Sequence, residues 1–353
     1  MRGISRVLWI ALAVTLPVAL LVFCFRQIDI GAVWHDLGQV RVGYVLAALV
    51  SMLALIVIIP VEWKLFVPPG KHVSFGALLR IVTTMIMLQN TLHHVAGHVF
   101  AIFQLGSRQR LSKSVALSIL ATDQLAEGLA RLFFWGLIAS FIELPTWALD
   151  GLRGVLTLVG TFYAVLLAFA WTHRDQPVPM ATENPTLWQR GYRHLAEWAH
   201  HLRGIRDLRI TLAAVSLAIT KKLLRALTVY FVQCSLGVEL PFTAPLLVVG
   251  ALDMATMVSV TPGHLGIFEA TVLFVYEYFG VDPAQAMALA LLDHSVHLFA
   301  VVMPGCILSL GWGLKFATSS SAQPAAAVPT PLGLTAPTAR MRRCRATKSR
   351  AGR

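Results

Sequence analysis

The chain has 353 residues, of which 57% are hydrophobic and 13% are charged, and its mean hydropathy is +0.70. Soluble domains are about 45–50% apolar and about 25% charged, so this composition argues against a soluble enzyme and predicts an integral membrane protein. The net charge of +12 comes from cations that lie mainly between apolar segments and at the C-terminal end. Such cations set the orientation of the chain in the membrane, and we expect no nucleic-acid partner.

About six full membrane spans are predicted, because apolar runs of about 20 residues recur along the chain and this is the length of helix that crosses a bilayer. The first run follows Arg2 and Arg6 and is interpreted as a retained span, since it is too long for a signal peptide. The predicted spans are 7–25, 43–61, 115–142, 152–171, 209–236 and 284–312. The expected fold is an all-α polytopic membrane protein.

Two further apolar stretches are each interrupted near their middle. The stretch 76–105 breaks at the HHVAGH sequence around Gly97, and the arm that follows is too short to cross the hydrocarbon core. The stretch 242–279 breaks at Pro262 and Gly263, with no charge at the break that would mark an aqueous loop. We expect both stretches to be re-entrant hairpins, although the second is equally consistent with two short crossings.

The distribution of Lys and Arg gives the expected orientation. With a cytoplasmic N-terminus and a re-entrant first hairpin, the outside segments carry only Arg26, Arg41 and Arg153, as the positive-inside rule favours. Both termini are then cytoplasmic, and we expect the chain in the cytoplasmic (inner) membrane. The segments 43–142 and 209–312 each consist of a predicted span, a hairpin and a second span. The two segments enter the membrane from opposite sides. Inverted repeats of this kind are typical of secondary transporters, whose site lies at the repeat interface.

Two regions are expected to lie outside the membrane. The predicted membrane domain covers 1–316 and includes a polar cytoplasmic loop at 172–208 with a possible amphipathic helix. The remainder, 317–353, is rich in Ala, Pro, Ser and Thr and then basic, which is typical of a disordered tail.

Ionisable residues inside the predicted spans are the features that point to function. Each costs about 2.5–3.5 kcal/mol at the centre of a membrane helix unless it is paired or faces water. Asp123, Glu127 and Arg131 follow one another at four-residue spacing, which places them on one helix face. Together with residues of the later segments they make four cations and five anions around an expected polar cavity: Asp123, Glu127, Arg131, Lys221, Lys222, Arg225, Asp253, Glu269 and Asp293.

Three interpretations of these charges stay open. Lys221, Lys222 and Arg225 are three neighbouring cations, more than pairing alone requires, and they resemble a site for a phosphate head group. The acidic residues, with Arg131, would then balance charge or carry protons. Alternatively, all of them form internal ion pairs that hold the helices together, or a shifted span places the lysines at the membrane interface.

Histidines accompany both hairpin breaks, with His93, His94 and His98 at the first and His264 at the second. We expect His98 and His264 to contact phosphate or handle protons, with packing as the alternative interpretation. His94 and His98 have the spacing of helical metal ligands but no accompanying HExxH or Cys/His pattern, so no metal and no cofactor is predicted.

The helix after Pro262 and Gly263 presents free backbone N–H groups at its start, which can meet an anion inside the membrane. Glu269 follows along that helix and is expected either to pair with the Lys221 cluster or to accept a proton.

The sequence TPGHLGIFEA at 261–270, followed by GVDPAQAMALALL at 280–292, resembles the second block of the lysylphosphatidylglycerol synthetase membrane-domain family, a flippase-like group. That block usually reads PGGLGxREA, and Pro262, Gly263, Leu265, Gly266, Glu269 and Ala270 match it. The first block of the family, which reads approximately PGRxGExxR, corresponds to AGHVFAIFQ in this chain. Gly97 is kept, and His98 stands in place of the arginine. Further departures are Ala101, Gln104, Phe268, Asp293 and His294.

The resemblance implies movement of lipids or lipid-linked intermediates between leaflets. The chain lacks the soluble aminoacyl-transfer domain of the synthases, so the synthase activity is not carried over and we expect a transporter rather than an enzyme. The expected partner is a membrane phospholipid or lipid-linked glycan. Two other hypotheses remain, a membrane-embedded transferase that modifies such a lipid and a scaffold for lipid-biosynthesis enzymes.

Overall fold

A computed structural model describes residues 28–92, 94–109, 111–143, 207–257 and 261–320, with scattered positions between 149 and 168. The predicted first span, the amphipathic segment of the loop, His93 and the tail beyond 320 lie outside the described residues. The described positions within the predicted span 152–171 are helical. The chain divides into two units, Met1–Gly311 and Trp312–Arg353, and every contact reported below lies in the first.

The described residues contain nine α-helices and no strand, which confirms the all-α prediction over this part of the chain. Four helices are long and the others are short. In chain order they are α1 Ile30–Gly38, α2 Val42–Phe66, α3 Phe75–Thr91, α4 His94–Ser107, α5 Lys113–Phe141, α6 Leu208–Ser235, α7 Thr243–Met257, α8 Ile267–Tyr278 and α9 Pro283–Ser320.

Among the described helices, α2 and the part of α9 over Pro283–Ser309 are long and apolar enough to cross a membrane. The outer face of α2 is apolar and exposed at Val50, Leu53 and Val57. Helices α5 and α6 have 29 and 28 residues but carry several charged side chains near their middles. A membrane helix can hold such charges only where they face protein or water, which is where these side chains lie.

Local sequence explains where the long helices begin. Ser112 accepts a hydrogen bond from the backbone N–H of Val115 and caps α5, and Asp207 accepts one from Arg209 and caps α6. These side chains satisfy backbone donors that would otherwise be unpaired at the helix start.

Helix α6 is the centre of the packing. It lies along α2 and also contacts α5 and α7. Ala126 and Ala130 of α5 pack against Ala214 and Ala218 of α6, and small side chains of this kind let two membrane helices approach closely. The close approach brings the charged middles of α5 and α6 next to each other.

Helices α3 and α4 form the first hairpin. The break lies before His94, so Gly97 is inside α4 and not in the break as predicted. A Cβ atom at Gly97 would overlap the backbone carbonyl of Met85 and the side chain of Gln89, so glycine is needed there for the close contact of the two helices. His94 and His98 share one continuous helix.

Helices α7 and α8 form the second hairpin, joined through a 3-10 turn at Pro262–His264. Gly263, His264 and Gly266 all have positive φ, at 64°, 58° and 82°. A Cβ atom at Gly263 would lie 3.2 Å from the carbonyl oxygen of Asn90, near the end of α3. The tips of the two hairpins therefore meet.

Candidate functional site

A cavity of about 270 Å³ lies between the helices that carry the buried charges. The charged side chains that line it are Glu127, Lys221, Lys222, Arg225 and Asp253, and Asn90, Thr256, His264 and His297 add polar groups. Met52, Leu55, Ile59, Val249, Leu252 and Phe268 complete the wall. Both hairpins contribute, since Asn90 comes from α3 and Asp253, His264 and Phe268 come from the second hairpin.

Lys221 lies near the middle of α6 and bridges two other helices. Its Nζ atom forms an ion pair with Glu62 of α2 and lies 2.6 Å from Oε1 of Glu127 on α5. A third carboxylate, Asp123, is 4.0 Å away and accepts a hydrogen bond of 3.0 Å from the indole N–H of Trp63. The Lys221 side chain is only 6% exposed, so these carboxylates compensate a charge that is removed from solvent.

Lys222 extends the same network to the second hairpin. Its Nζ atom is 2.6 Å from Oδ2 of Asp253 on α7 and 3.4 Å from Oε2 of Glu127. Arg131 also contacts Asp253, with its Nε atom 3.8 Å from Oδ2. Glu127 pairs with the two lysines and not with Arg131, which follows it by one turn on α5. The network therefore joins α2, α5, α6 and α7.

Arg225 forms a separate pair with Asp293 of α9. Two guanidinium nitrogens donate to the two carboxylate oxygens at 2.8 and 2.7 Å, the bidentate geometry in which arginine binds carboxylates most strongly. The guanidinium also lies 5.8 Å from the centre of the Phe268 ring. Arg225 lines the cavity, whereas Asp293 is behind it and fully buried.

Glu269 does not reach the lysines. One carboxylate oxygen, Oε2, accepts a hydrogen bond of 2.7 Å from the backbone N–H of Gly266, which caps the start of α8. The other, Oε1, lies 2.5 Å from Nδ1 of His294 on α9. One of the backbone N–H groups at this helix start, that of Gly266, is thus already bonded to a side chain of the same helix and not to an external anion.

The predicted histidines separate into two groups. His264 lines the cavity, as expected for a residue of the second hairpin tip. His98 lies on α4 away from the cavity lining, with its Nε2 atom 3.2 Å from Nε2 of Gln89 and 3.1 Å from Nε2 of His94. His297, which the sequence analysis did not place in the site, lines the cavity and contacts Oδ1 of Asn90 at 3.0 Å.

The most consequential residue that the sequence analysis missed is Glu62. It is fully buried, forms an ion pair with Lys221, and adds a sixth carboxylate to the five that the sequence analysis counted. The predicted span ended at residue 61, so Glu62 was not counted among the ionisable residues inside the membrane. The signal was present in the sequence, because Glu62 and Lys64 lie within an apolar segment that continues to Val67.

The described residues form a core of long helices and two broken hairpins whose tips meet beside a charged cavity. This is the architecture of a helical membrane protein with a polar site between its helices. Residues 8–305 match the family described as the lysylphosphatidylglycerol synthase TM region. The chain belongs to this family, as the motif at 261–270 indicated. No curated protein matches the chain. Family membership indicates a membrane protein of lipid modification or lipid translocation.

Proposed function

We propose that the protein translocates a phosphate-bearing membrane lipid, either a phospholipid or a lipid-linked glycan, between the leaflets of the cytoplasmic membrane. In this proposal the head group occupies the cavity while the acyl or prenyl chains stay in the bilayer. The observation that carries the proposal is the lining of the cavity by Lys221, Lys222 and Arg225 at the middle of a long helix. Cations at that depth are costly and mark the route of a polar substrate.

The carboxylate partners of these cations do not exclude phosphate. A guanidinium carries five N–H donors, and Arg225 uses two of them on Asp293. An ammonium carries three, and Lys222 faces two carboxylates, Glu127 and Asp253. The contacts that the described residues make with Arg225 and Lys222 therefore leave some of their N–H donors unused. We infer that phosphate oxygens bind these remaining donors while the carboxylates keep the empty site close to neutral.

The other predicted site residues have supporting roles in this proposal. Asp123 and Glu127 hold Lys221 in position, and Arg131 shares Asp253 with Lys222. Such pre-arranged pairs orient the cations before the lipid arrives, so less side-chain ordering is needed when it binds.

The hairpins are proposed as the gates. Helices α3, α4, α7 and α8 have 17, 14, 15 and 12 residues. At 1.5 Å per residue the longest is about 26 Å, less than the hydrocarbon core of about 30 Å. We propose that 43–142 and 209–312 are inverted repeats, that both hairpins re-enter, and that both termini are cytoplasmic. Movement of the tips, which meet at Asn90 and Gly263, would expose the cavity to one side at a time.

A reconstitution experiment tests the proposal. The purified protein is placed in vesicles with a fluorescent phospholipid, and a quencher that stays outside measures how much lipid reaches the outer leaflet. We expect wild type and Lys222→Arg to move lipid, and Lys222→Gln to lose most of this activity. Lys71→Gln, which removes an exposed lysine in the loop after α2, is the matched control and should behave as wild type.

Equal lipid movement by wild type and Lys222→Gln, with both proteins inserted to the same extent, would overturn the proposal. Mass spectrometry of the same vesicles distinguishes the transferase hypothesis, because a transferase produces a covalently altered lipid when it is supplied with a donor. An unaltered lipid that has changed leaflet supports translocation.

A further inference from the structure

The second hairpin is attached to the last helix by one buried histidine. The Nε2 atom of His294 lies 2.9 Å from the backbone carbonyl oxygen of Gly263, and its Nδ1 atom lies 2.5 Å from Oε1 of Glu269. His294 and Glu269 are 3% and 2% exposed. His294 therefore contacts the tip of the hairpin and the first turn of α8 at the same time.

The hydrogen-bond inventory of these groups determines how many protons they hold. A carbonyl oxygen only accepts, so Nε2 of His294 must carry a proton toward Gly263. A short contact between Nδ1 and Oε1 then needs a second proton, either on Nδ1 or on the carboxyl group of Glu269. In both arrangements the pair is neutral overall and holds one proton more than a carboxylate beside a neutral imidazole would.

We propose that Glu269 and His294 form a proton-binding site that locks the tip of the second hairpin, and that release of its shared proton unlocks the tip. The proton leaves for water, and the pair then carries one negative charge. A neutral imidazole has a single N–H, so it can donate to Glu269 or to the Gly263 carbonyl but not to both. One of the two attachments of the hairpin is therefore lost.

The charged and titratable groups around the pair belong to three elements. Arg225 of α6 is paired with Asp293 of α9, the residue before His294, so these two charges compensate each other. His297 is on α9, with its ring centre 6.5 Å from that of His294. His264 belongs to the turn itself. The Phe268 ring stacks on His294 with ring centres 4.2 Å apart and shields it from the cavity.

The turn is held in a conformation that makes such a lock effective. His264 has a positive φ of 58°, which is uncommon for a residue with a side chain and persists only where surrounding contacts maintain it. The Gly263 carbonyl bond is one of those contacts. When it breaks, we expect the turn to move away from Asn90 and to take His264 out of the cavity wall.

This inference concerns protons and the hairpin, and it holds whether or not the substrate is a lipid. The first test is nitrogen NMR of labelled histidine in the full chain in lipid nanodiscs, with the His294→Gln variant used to assign the signal. We expect His294 to carry a proton on Nε2 at acidic pH. A neutral His294 protonated on Nδ1 at that pH would overturn the inference.

The second test measures movement of the tip. Thr261, which begins the turn and is 5% exposed, is replaced by Cys after the natural cysteines are changed to Ser, and its alkylation is followed from acidic to alkaline pH. Glu269→Gln is the matched control, because its amide still accepts from Gly266 and donates to Nδ1 of His294 without a titratable proton. At each pH, the alkylation rate of the protein with Glu269 is divided by that of the Glu269→Gln variant. The ratio cancels the effect of pH on the ionisation of the thiol, which is the same in both proteins.

We expect this ratio to be near one at acidic pH. It should then rise with pH, by about tenfold per pH unit while most molecules still hold the proton, and level off once most have released it. Glu269→Ala should be alkylated rapidly at every pH. A ratio that stays constant with pH would overturn the inference, and it would leave the lipid experiment with Lys222 unaffected.

Discussion

The Nζ atom of Lys222 on α6 lies 2.6 Å from Oδ2 of Asp253 on α7. This contact links a long central helix to the second hairpin at the wall of the cavity. Its position means that a head group bound to Lys222 also acts on the helix that carries Asp253. The proposed function therefore predicts that substrate binding and the position of the second hairpin are coupled through this ion pair.

Lys221 should be essential for stability rather than for substrate contact alone. Replacing it with Met leaves Glu62 and Glu127 without their closest cation, and breaking a buried pair costs about 3–5 kcal/mol. We expect a large drop in the free energy of unfolding, measured by chemical unfolding in mixed micelles. Adding Glu62→Gln should recover part of the loss. A double variant no more stable than Lys221→Met would contradict this assignment.

Arg225 and Asp293 should show energetic coupling. Each single variant, Arg225→Gln or Asp293→Asn, leaves its partner charged and buried, whereas the double variant removes both charges. For groups in direct contact we expect a coupling energy of about 0.5–3 kcal/mol in a double-mutant cycle. Additive effects on unfolding would show that the bidentate pair does not form in the membrane.

Gly305 should be intolerant of a larger side chain. A Cβ atom there would lie 2.5 Å from Cβ of Met87 and 2.9 Å from the carbonyl oxygen of Thr83. Overpacking of this kind costs about 1–3 kcal/mol, so Gly305→Ala should lower the unfolding midpoint and separate α9 from α3. The control is Gly136→Ala in α5, where no atom lies within 4 Å of the new Cβ.

In Gly136→Ala, helix propensity alone should raise stability by about 1 kcal/mol. Similar effects of the two substitutions would mean that α3 and α9 are not packed as closely as described.

Much of the helical architecture followed from hydropathy and from helix breakers. The charged middles of α5 and α6 were evident because single charges stand out in apolar segments. The sequence could not show the partner of each charge, because pairing depends on which helix faces which. Glu269 illustrates this limit. Nothing in the sequence favoured His294 over the Lys221 cluster as its partner, but the packing of α8 against α9 places His294 beside it.

Glu62 and Gly97 show two further sources of error. Glu62 was placed outside the membrane because α2 extends five residues beyond the predicted end of the span. Gly97 was interpreted as part of a break because it lies within the HHVAGH sequence and precedes a short apolar arm. In the structure it serves close packing within a helix, and local sequence cannot separate these two uses of glycine.

The volume of the cavity should limit the head group. Small-molecule sites are typically about 300–1,000 Å³, so a cavity of about 270 Å³ suits a head group of modest size. We expect phospholipids with a small polar group to be moved faster than lipids that carry an oligosaccharide, in vesicles that contain both. Equal rates for the two classes would show that the head group does not pass through this cavity.

The most direct test of the account is the identity of the lipids that copurify with the protein in mild detergent. Mass spectrometry should be carried out in parallel on wild type, Lys222→Gln and Lys71→Gln. The account predicts that one phosphate-bearing lipid is enriched over its abundance in the membrane with wild type and Lys71→Gln, and that the enrichment is lost with Lys222→Gln. A lipid profile equal to that of the bulk membrane in all three proteins would contradict the account and leave the buried cations as structural ion pairs.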